Sequence, residues 1–262
     1  MIKLFISDID GCISEPYQAM HLPALNKLAA LAMEGGVMGG TGEAEPIVPA
    51  LSLCSGRPMP YVECVAQVLG IQMPVLFESG GGVFDPVNAR VHWSPHLTTE
   101  VQQQVREVTQ WLQHDCVPGT SMVVDYAKRA HAGVIGPDPT EIIAAIPKVK
   151  QFVEDTGLDF DVLPTHLSVD IIPAGITKET GMKWLASELS LDLDDMAYIG
   201  DSLGDLKALQ LVGHSFAPEN AKDVVREGVE CVTSAGIHGV LDAIKICMDR
   251  NQQTIEIEEL NS

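Results

Sequence analysis

The chain has 262 residues, of which 46% are hydrophobic, and its 16 Lys and Arg residues are outnumbered by 36 Asp and Glu residues. A protein of this length can bury one large core or two smaller ones, and its formal charge of −20 excludes nucleic acid and anionic membranes as partners. No apolar run approaches the roughly 20 residues that a membrane helix needs. The composition therefore indicates a soluble globular protein.

Two further features of the sequence concern location. Asp8 and Asp10 interrupt the apolar N-terminus before the core of a signal peptide could form. The six cysteines are scattered, with neither a Cys-x-x-Cys pair nor a cysteine–histidine cluster at zinc spacing, and we expect them to be reduced and buried. We therefore expect a cytoplasmic protein.

The first 84 residues predict alternating strands and helices. Strands are predicted over residues 2–6, 50–54 and 74–77, and helices over residues 22–34 and 61–69. Each strand is short, apolar and closed by polar residues or glycine, as buried parallel strands are. The glycine-rich residues 39–46 lack the Gly-Lys-Ser/Thr ending of a phosphate-binding loop, and we interpret them as a surface insertion.

The pattern then changes and later resumes. Residues 82–93 predict a hairpin, followed by helices over residues 97–114 and 139–156 and strands within residues 121–135 and 160–172. From residue 178 onwards the chain alternates again, with helices over residues 178–189, 203–212, 221–227 and 238–248 and strands over residues 196–200, 214–217 and 230–233. We expect the acidic residues 254–259 to be frayed.

This organisation predicts an α/β fold with two parts. Residues 1–84 and 175–262 would form a Rossmann-like core, a doubly wound parallel sheet with helices on both faces. Residues 85–174 would form an inserted α+β cap domain, which is too long to be a loop.

Two carboxylates directly follow the first strand, in Ser7-Asp8-Ile9-Asp10-Gly11. In open α/β sheets this edge is where ligands bind. Like charges so close together oppose each other's ionisation, and a bound Mg²⁺ would remove that repulsion. Asp also occurs in turns and at helix N-caps, which is the alternative interpretation.

Four short motifs lie at predicted strand ends or just before a core helix. They are Asp8-x-Asp10-Gly11, Ser55-Gly56-Arg57, Lys178 and Gly200-Asp201-Ser202-x-x-Asp205. In this order, with the insertion between the second and third, the chain resembles the haloacid dehalogenase superfamily of phosphohydrolases. The resemblance spans nearly the whole chain and is closest to sugar-phosphatase and phosphoglycolate-phosphatase relatives, which have segments matching residues 176–179 and 216–221, the latter including Asn220.

The resemblance implies a Mg²⁺-dependent phosphomonoesterase acting on a small phosphorylated metabolite. It implies that Asp8 attacks phosphorus to form an aspartyl-phosphate, and that Asp10 protonates the leaving alcohol and then activates water. It places Mg²⁺ on Asp8, Asp201 and the main-chain carbonyl of Asp10, with Asp205 acting through the waters of the metal.

The phosphate itself would be bound by Ser55, Gly56 and Lys178. Ser55 and Asp201 could also cap the helices that follow them, and Asp205 could be a solvated acid in the first turn of its helix. A lysine at a helix start opposes the helix dipole, so we expect Lys178 to have an anionic neighbour.

The sequence departs from the family pattern at two positions. Cys12 replaces the usual Thr after the first Gly, and we expect it only to pack behind the site. Gly204 replaces the usual Asn before the last Asp, and the missing amide removes a contact to the metal's water or to the phosphate. Metal affinity or substrate placement is therefore expected to differ.

Substrate choice is expected to come from the cap. Three basic side chains, Lys128, Arg129 and His131, lie on a predicted cap strand or its turn, and Arg129 is the first candidate for a substrate contact. The alternative is an ordinary solvated turn. Two other functions stay open: a phosphohexomutase, which would need several cap arginines, and a non-catalytic phosphometabolite-binding protein, which the loss of Asn at Gly204 would favour.

Overall fold

The computed structural model describes residues 1–36 and 47–261, so the glycine-rich segment interpreted as an insertion lies outside the described residues. In chain order the described strands are β1 (Leu4–Ser7), β2 (Ala50–Leu53), β3 (Val75–Phe77), β4 (Gly82–Asp85), β5 (Arg90–Trp93), β6 (Val123–Val124), β7 (Ala132–Ile135), β8 (Phe160–Pro164), β9 (Ser168–Pro173), β10 (Met196–Ile199), β11 (His214–Ala217) and β12 (Glu230–Cys231). The described helices are α1 (Leu22–Gly35), α2 (Met59–Leu69), α3 (Thr99–Trp111), α4 (Pro139–Thr156), α5 (Lys178–Leu189), α6 (Leu206–Leu209), α7 (Asp223–Arg226) and α8 (Gly236–Asn261).

A parallel five-stranded sheet in the order β12-β11-β10-β1-β2 forms the centre of the core. All four residues of β1, of β2 and of β10 are buried, which requires cover on both faces of the sheet. Leu4 of β1 is in register with Ala50 and with Met196, so the carboxyl ends of these three strands lie side by side. The predicted α/β class with a parallel core is confirmed.

A second sheet, antiparallel in the order β6-β7-β9-β8, belongs to the segment between β5 and α5. It has its own apolar core, to which α3 contributes Val108, α4 contributes Val149 and the strands contribute Val134 and Ile171. Two helices against one antiparallel sheet make this segment an α+β unit, as the sequence predicts.

A small antiparallel sheet, β3-β4-β5, joins the two parts. The predicted boundary between core and cap, between residues 84 and 85, falls at the end of β4. The next strand, β5, pairs with β4 along its whole length. The division of the chain stays a prediction, and this pairing favours a limit after Trp93.

Two helical predictions differ from the structure. The residues expected to fray, 254–259, are helical in α8, which the buried side chain of Asn251 ties to the start of β1: its Oδ1 accepts the amide of Ile2 at 2.7 Å. The helix predicted over residues 203–212 is a short 3₁₀ turn followed by α6, because Asp205 turns back to Ser202. Among the described residues, no helix is long and apolar enough to cross a membrane.

Candidate active site

The site lies where β1, β2 and β10 end. The amide of Asp8 donates to the carbonyl of Ile199 at 3.0 Å, and the amide of Cys54 donates to the carbonyl of Ser7 at 2.9 Å. Parallel pairing therefore brings the first, second and fourth sequence motifs to one edge of the sheet.

Lys178 brings the third motif to the same edge. Its Nζ lies 2.7 Å from Oδ2 of Asp8 and 2.5 Å from Oδ1 of Asp205, and its side chain is almost fully buried. Thr177 caps α5 and so fixes the point from which the lysine reaches inward. The expected anionic neighbour of Lys178 is thus present, and there are two of them.

Asp205 is fully buried, so its interpretation as a solvated first-turn acid is wrong. Its Oδ1 accepts from Lys178 and from the hydroxyl of Tyr198, and its Oδ2 accepts from the amide and the hydroxyl of Ser202, at 2.9 and 2.6 Å. A carboxylate has about four lone-pair directions, and all four are used. Asp205 therefore has little capacity left for the waters of a metal.

The charges of this cluster set the pKa values of its members. Burial alone would lower the pKa of Lys178, but the charges of Asp205 and Asp8 outweigh it and hold the pKa well above its ordinary value. Burial raises the pKa of Asp8 despite the opposing charge of Lys178, and Asp205 and Asp201 raise it further. Burial and the charge of Asp205 raise the pKa of Asp201 to about 7. The cluster is thus rich in negative charge.

The arrangement fits a divalent cation. One oxygen from each of Asp8, Asp201 and Asp205 lies within 4.8 Å of the others. Three carboxyl groups face one ammonium group, so full ionisation of the cluster leaves two negative charges for a cation to balance, and hard oxygen ligands of this kind suit Mg²⁺. Among the described residues, no other side chain donates a hydrogen bond to the carboxylate of Asp201, which leaves it free to bind an ion.

Asp10 has a partner that the sequence analysis missed. Nε and Nη2 of Arg57 donate to Oδ2 and Oδ1 of Asp10, both at 2.7 Å, in a two-pronged ion pair. The guanidinium lies 5.6 Å from the ring centre of Tyr17 and 5.0 Å from that of Tyr61. The hydrogen bonds that Arg57 donates to Asp10 raise the pKa of Arg57. Arg57 stands in a quoted motif, but nothing in the motif showed that it reaches back 47 residues to Asp10.

Ser55 and Gly56 form the loop after β2. Ser55 is buried, and its hydroxyl accepts the amide of Arg57 at 3.2 Å, which closes a tight turn. Gly56 is partly exposed, and a side chain there would lie 3.4 Å from the hydroxyl of Ser79. The loop is thus held in place, with its backbone close to the crevice.

The loop after β1 shows why glycine stands at position 11. Gly11 has a φ of +75°, and a Cβ there would lie only 2.3 Å from Oδ2 of Asp201. Asn220 donates to the carbonyl of Gly11 at 2.8 Å and accepts from the amide of Gly236 at 2.8 Å, so it braces this loop. Cys12 is buried, as expected, and Cys64 and Cys231 are exposed, so the prediction that every cysteine is buried is wrong.

The three basic residues of the cap segment differ in their surroundings. Nζ of Lys128 donates to Oδ1 of Asp170 at 2.6 Å, and the lysine side chain is nearly buried. His131 is fully buried, and neither ring nitrogen has a hydrogen-bond partner among the described residues. Arg129, the first candidate from the sequence, has an exposed side chain. The solvated-turn interpretation is wrong for Lys128 and His131.

Comparisons with known proteins agree with this description. A model of the haloacid dehalogenase-like hydrolases matches residues 140–244. The phosphoglycolate phosphatase of Methanococcoides burtonii is 24% identical over 251 residues, which cover 95% of this chain and 97% of the relative. That of Natronomonas pharaonis is 28% identical over 199 residues, covering 75% and 83%.

Solved structures share the fold. A Thermoplasma acidophilum protein superposes with a TM-score of 0.69 at 21% identity, covering 94% of this chain and 98% of its own. The sucrose-phosphatase of Synechocystis, solved with sucrose and phosphate, gives a TM-score of 0.65 at 16% identity, with the same coverage of 94% and 98%.

The parallel sheet with an acidic, lysine-bearing site at its carboxyl edge defines an α/β protein of the doubly wound class, with an added α+β unit. Within that class, the family model and the curated relatives confirm the predicted resemblance to the haloacid dehalogenase-like hydrolases. The prediction of an enzyme of the phosphatase type is confirmed.

Proposed function

We propose that the protein is a Mg²⁺-dependent phosphomonoesterase that hydrolyses a small phosphorylated metabolite through an aspartyl-phosphate. The observation that carries this proposal is the buried ammonium of Lys178, held between Asp8 and Asp205 at the carboxyl edge of the sheet. A phosphate dianion repels a carboxylate nucleophile, and a fixed cation beside the nucleophile offsets that repulsion.

In the first step, an oxygen of Asp8 forms a bond to phosphorus while the bond from phosphorus to the substrate oxygen breaks. The departing oxygen takes a proton from Asp10 and leaves as the alcohol. In the second step, Asp10 takes a proton from water, the water oxygen bonds to phosphorus, and the bond to Asp8 breaks. Inorganic phosphate is released and both carboxyl groups return to their starting states.

Lys178 and the loop after β2 would hold the phosphoryl oxygens, with Ser55 and Gly56 as donors. A divalent cation on Asp8, Asp201 and the carbonyl of Asp10 would neutralise the phosphate charge that one lysine leaves unbalanced. We assign Asp205 to holding and orienting Lys178, since its oxygens are already occupied.

Arg57 adds a requirement to this scheme. Both carboxylate oxygens of Asp10 are bound by Arg57, so the first step requires this pair to loosen when substrate enters and Asp10 to take up a proton before it protonates the leaving alcohol. Cation–π contacts with Tyr17 and Tyr61 keep the guanidinium close by, so the pair can form again after each turnover.

The substrate class follows from the relatives and from the cap segment. The matched relatives bear the name phosphoglycolate phosphatase, and one structural neighbour is a sucrose-phosphatase. A phosphorylated short acid or sugar is therefore the class to test. A mutase would need several arginines in the cap to hold a second phosphate. The three arginines of this region, Arg90, Arg106 and Arg129, are all exposed to solvent, which weakens the mutase alternative.

The test is phosphate release from p-nitrophenyl phosphate, 2-phosphoglycolate and a panel of sugar phosphates, with Mg²⁺ and with EDTA. We expect release that needs Mg²⁺ and that is abolished in Asp8→Asn. Asp138→Asn is the matched control, because Asp138 caps α4 far along the chain and Asn caps helices equally well.

Release that survives Asp8→Asn would overturn the nucleophile. Conversion of glucose 1-phosphate into glucose 6-phosphate without release would favour the mutase. Phosphate binding without any turnover would favour the non-catalytic binding protein.

A further inference from the structure

A buried glutamate connects the two parts of the molecule. Glu78 directly follows β3 and is fully buried. Its Oε2 accepts the amides of Arg129 at 2.8 Å and of Ala130 at 2.6 Å, across 51 and 52 residues of chain. Its Oε1 has no hydrogen-bond partner among the described residues. One carboxylate from the core therefore holds the backbone of the cap segment.

The backbone of the same turn holds the loop of Ser55 and Gly56. The amide of Glu78 donates to the carbonyl of Arg57, and the amide of Ser79 donates to the carbonyl of Ser55, both at 2.9 Å. Glu78 and Ser79 have φ values of 48° and 57°, in the left-handed region that side chains disfavour. Two such residues in succession persist only where their surroundings fix them, and such strain is concentrated at functional sites.

Close packing around this turn leaves it little freedom. A Cβ on Gly81 would lie 2.3 Å from Cβ of Ala130, and one on Gly80 would lie 2.5 Å from the carbonyl oxygen of Thr177. Thr177 caps the helix that carries Lys178. The turn thus contacts the cap segment at Ala130. It also contacts Thr177, the N-terminal capping residue of the helix that carries Lys178.

We propose that Glu78 is a positioning residue for the reaction, whose carboxylate fixes the segment from Lys128 to His131 over the loop of Ser55 and Gly56, so that Lys128 and His131 meet the leaving-group end of the substrate. This rests on the proposed phosphatase function. Lys128 and His131 flank the two amides that Glu78 holds, so the position of both side chains depends on those two hydrogen bonds.

The charged surroundings make this contact sensitive to pH. Burial raises the pKa of Glu78 to about 7, although the amides of Ala130 and Arg129 and the charge of Lys128 act against it. Lys128 is paired with Asp170. Burial, with a smaller effect from Lys128, lowers the pKa of His131 to about 3, so this ring stays neutral near pH 7. Arg57, whose carbonyl accepts the amide of Glu78, is paired with Asp10, and the charged side chain of Arg129 is exposed.

The direction of the pH effect follows from the carboxyl group of Glu78, which accepts both hydrogen bonds. Above pH 7 the ionised carboxylate accepts charge-assisted hydrogen bonds from the two amides, and below pH 7 the protonated acid accepts weaker ones. The cap segment is therefore held less firmly as the pH falls, and KM should rise while kcat changes little.

The test compares Glu78→Gln with the control Glu141→Gln. Glu141 also accepts a backbone amide, that of Ser121 at 2.8 Å, but at an exposed position within the α+β unit. For each protein, we compare KM for p-nitrophenyl phosphate and for 2-phosphoglycolate at pH 6 with KM at pH 8. We expect the increase on lowering the pH to be at least about threefold larger in the wild type and in Glu141→Gln than in Glu78→Gln. Because all three proteins see the same substrate ionisation, the difference belongs to Glu78.

A second measurement needs no activity. The NMR signals of the Arg129 and Ala130 amides should titrate with a midpoint near pH 7 in the wild type and should not titrate in Glu78→Gln. Amides that do not titrate, together with identical KM profiles in all three proteins, would overturn the role of Glu78 while phosphate release still supports the phosphatase. Titrating amides in a protein that releases no phosphate would overturn the proposed function and, with it, this role in catalysis.

Discussion

Two buried polar clusters, each built around one lysine, differ in how completely they are satisfied. In the cluster of Lys178, Asp8 and Asp205, every oxygen of Asp205 accepts two hydrogen bonds, and the excess is one of charge. In the cluster of Lys128, Asp170 and His131, the lysine and its carboxylate are paired, while neither nitrogen of His131 makes a hydrogen bond within the described part of the chain.

The difference indicates two kinds of task. A rigid, fully bonded set of charges costs no rearrangement when a phosphate arrives, which suits the chemical step. Buried polar atoms without hydrogen-bond partners cost free energy until a ligand provides those partners. Such atoms therefore suit recognition of a substrate. The contrast therefore supports the proposal that the first cluster serves the chemical step and the second serves the choice of substrate.

The largest effect is expected at the centre of the first cluster. Replacing Lys178 by Met leaves Asp8 and Asp205 buried without a counter-charge, so unfolding in urea should become easier by about 3–5 kcal/mol. Activity should fall by about 10²–10³-fold in kcat. Lys183→Met is the control, because Lys183 lies on the same helix in an exposed pair with Glu179. Equal losses in the two variants would contradict the assignment.

The two acids of the last motif should separate metal binding from lysine orientation. Asp201→Asn should raise the Mg²⁺ concentration for half-maximal activity by about 10–100-fold. Asp205→Asn should lower kcat by a similar factor and leave the Mg²⁺ requirement unchanged, because its oxygens face Lys178, Tyr198 and Ser202. The measurement is a Mg²⁺ titration of the activity of both variants. A higher Mg²⁺ concentration for half-maximal activity in Asp205→Asn would show that Asp205 takes part in metal binding.

A smaller effect is expected where the guanidinium holds Asp10. Arg57→Lys keeps the charge but cannot make two parallel hydrogen bonds, so kcat should fall about tenfold while Mg²⁺ dependence stays constant. Steady-state kinetics against the exposed control Arg106→Lys provide the test. An unchanged kcat would show that the paired geometry is dispensable.

The smallest effect concerns Gly204, the position at which the sequence departs from the expected Asn. A Cβ at this position would have as its nearest neighbour the hydroxyl of Ser202, at 3.6 Å, so a side chain fits. We expect Gly204→Asn to lower the Mg²⁺ requirement by about two- to fivefold through one added hydrogen bond. Gly204→Ala, which fills the same space without an amide, should show no change, and an equal gain in both would exclude the amide as the cause.

The sequence was sufficient for the core and for bringing three of the four motifs to one edge of the sheet. Buried strands and their polar ends are local patterns, and parallel pairing brings such ends together, so Asp8, Ser55 and Asp201 could be placed at that edge. Lys178 begins a helix, and its place at the same edge was implied by the family resemblance. The frayed C-terminus was predicted from composition alone, whereas those residues continue α8, a helix that the long-range contact of Asn251 with Ile2 attaches to the core.

What could not be predicted depends on contacts between residues far apart in the chain. Arg57 reaches Asp10 across 47 residues, and Glu78 reaches Arg129 across 51. No spacing in the sequence reports such pairs. The burial of His131 beside the exposed Arg129 is likewise set by the packing of the segment.

The division of labour depends most directly on Asp8 as the nucleophile. The decisive measurement is mass spectrometry of the enzyme after acid quenching during turnover of a hydrolysed substrate, with the peptides assigned by fragmentation. We predict one added phosphoryl group on the peptide that contains Asp8, localised to that side chain and absent in Asp8→Asn. A phosphoryl group on another residue, or steady phosphate release by Asp8→Asn, would contradict the account.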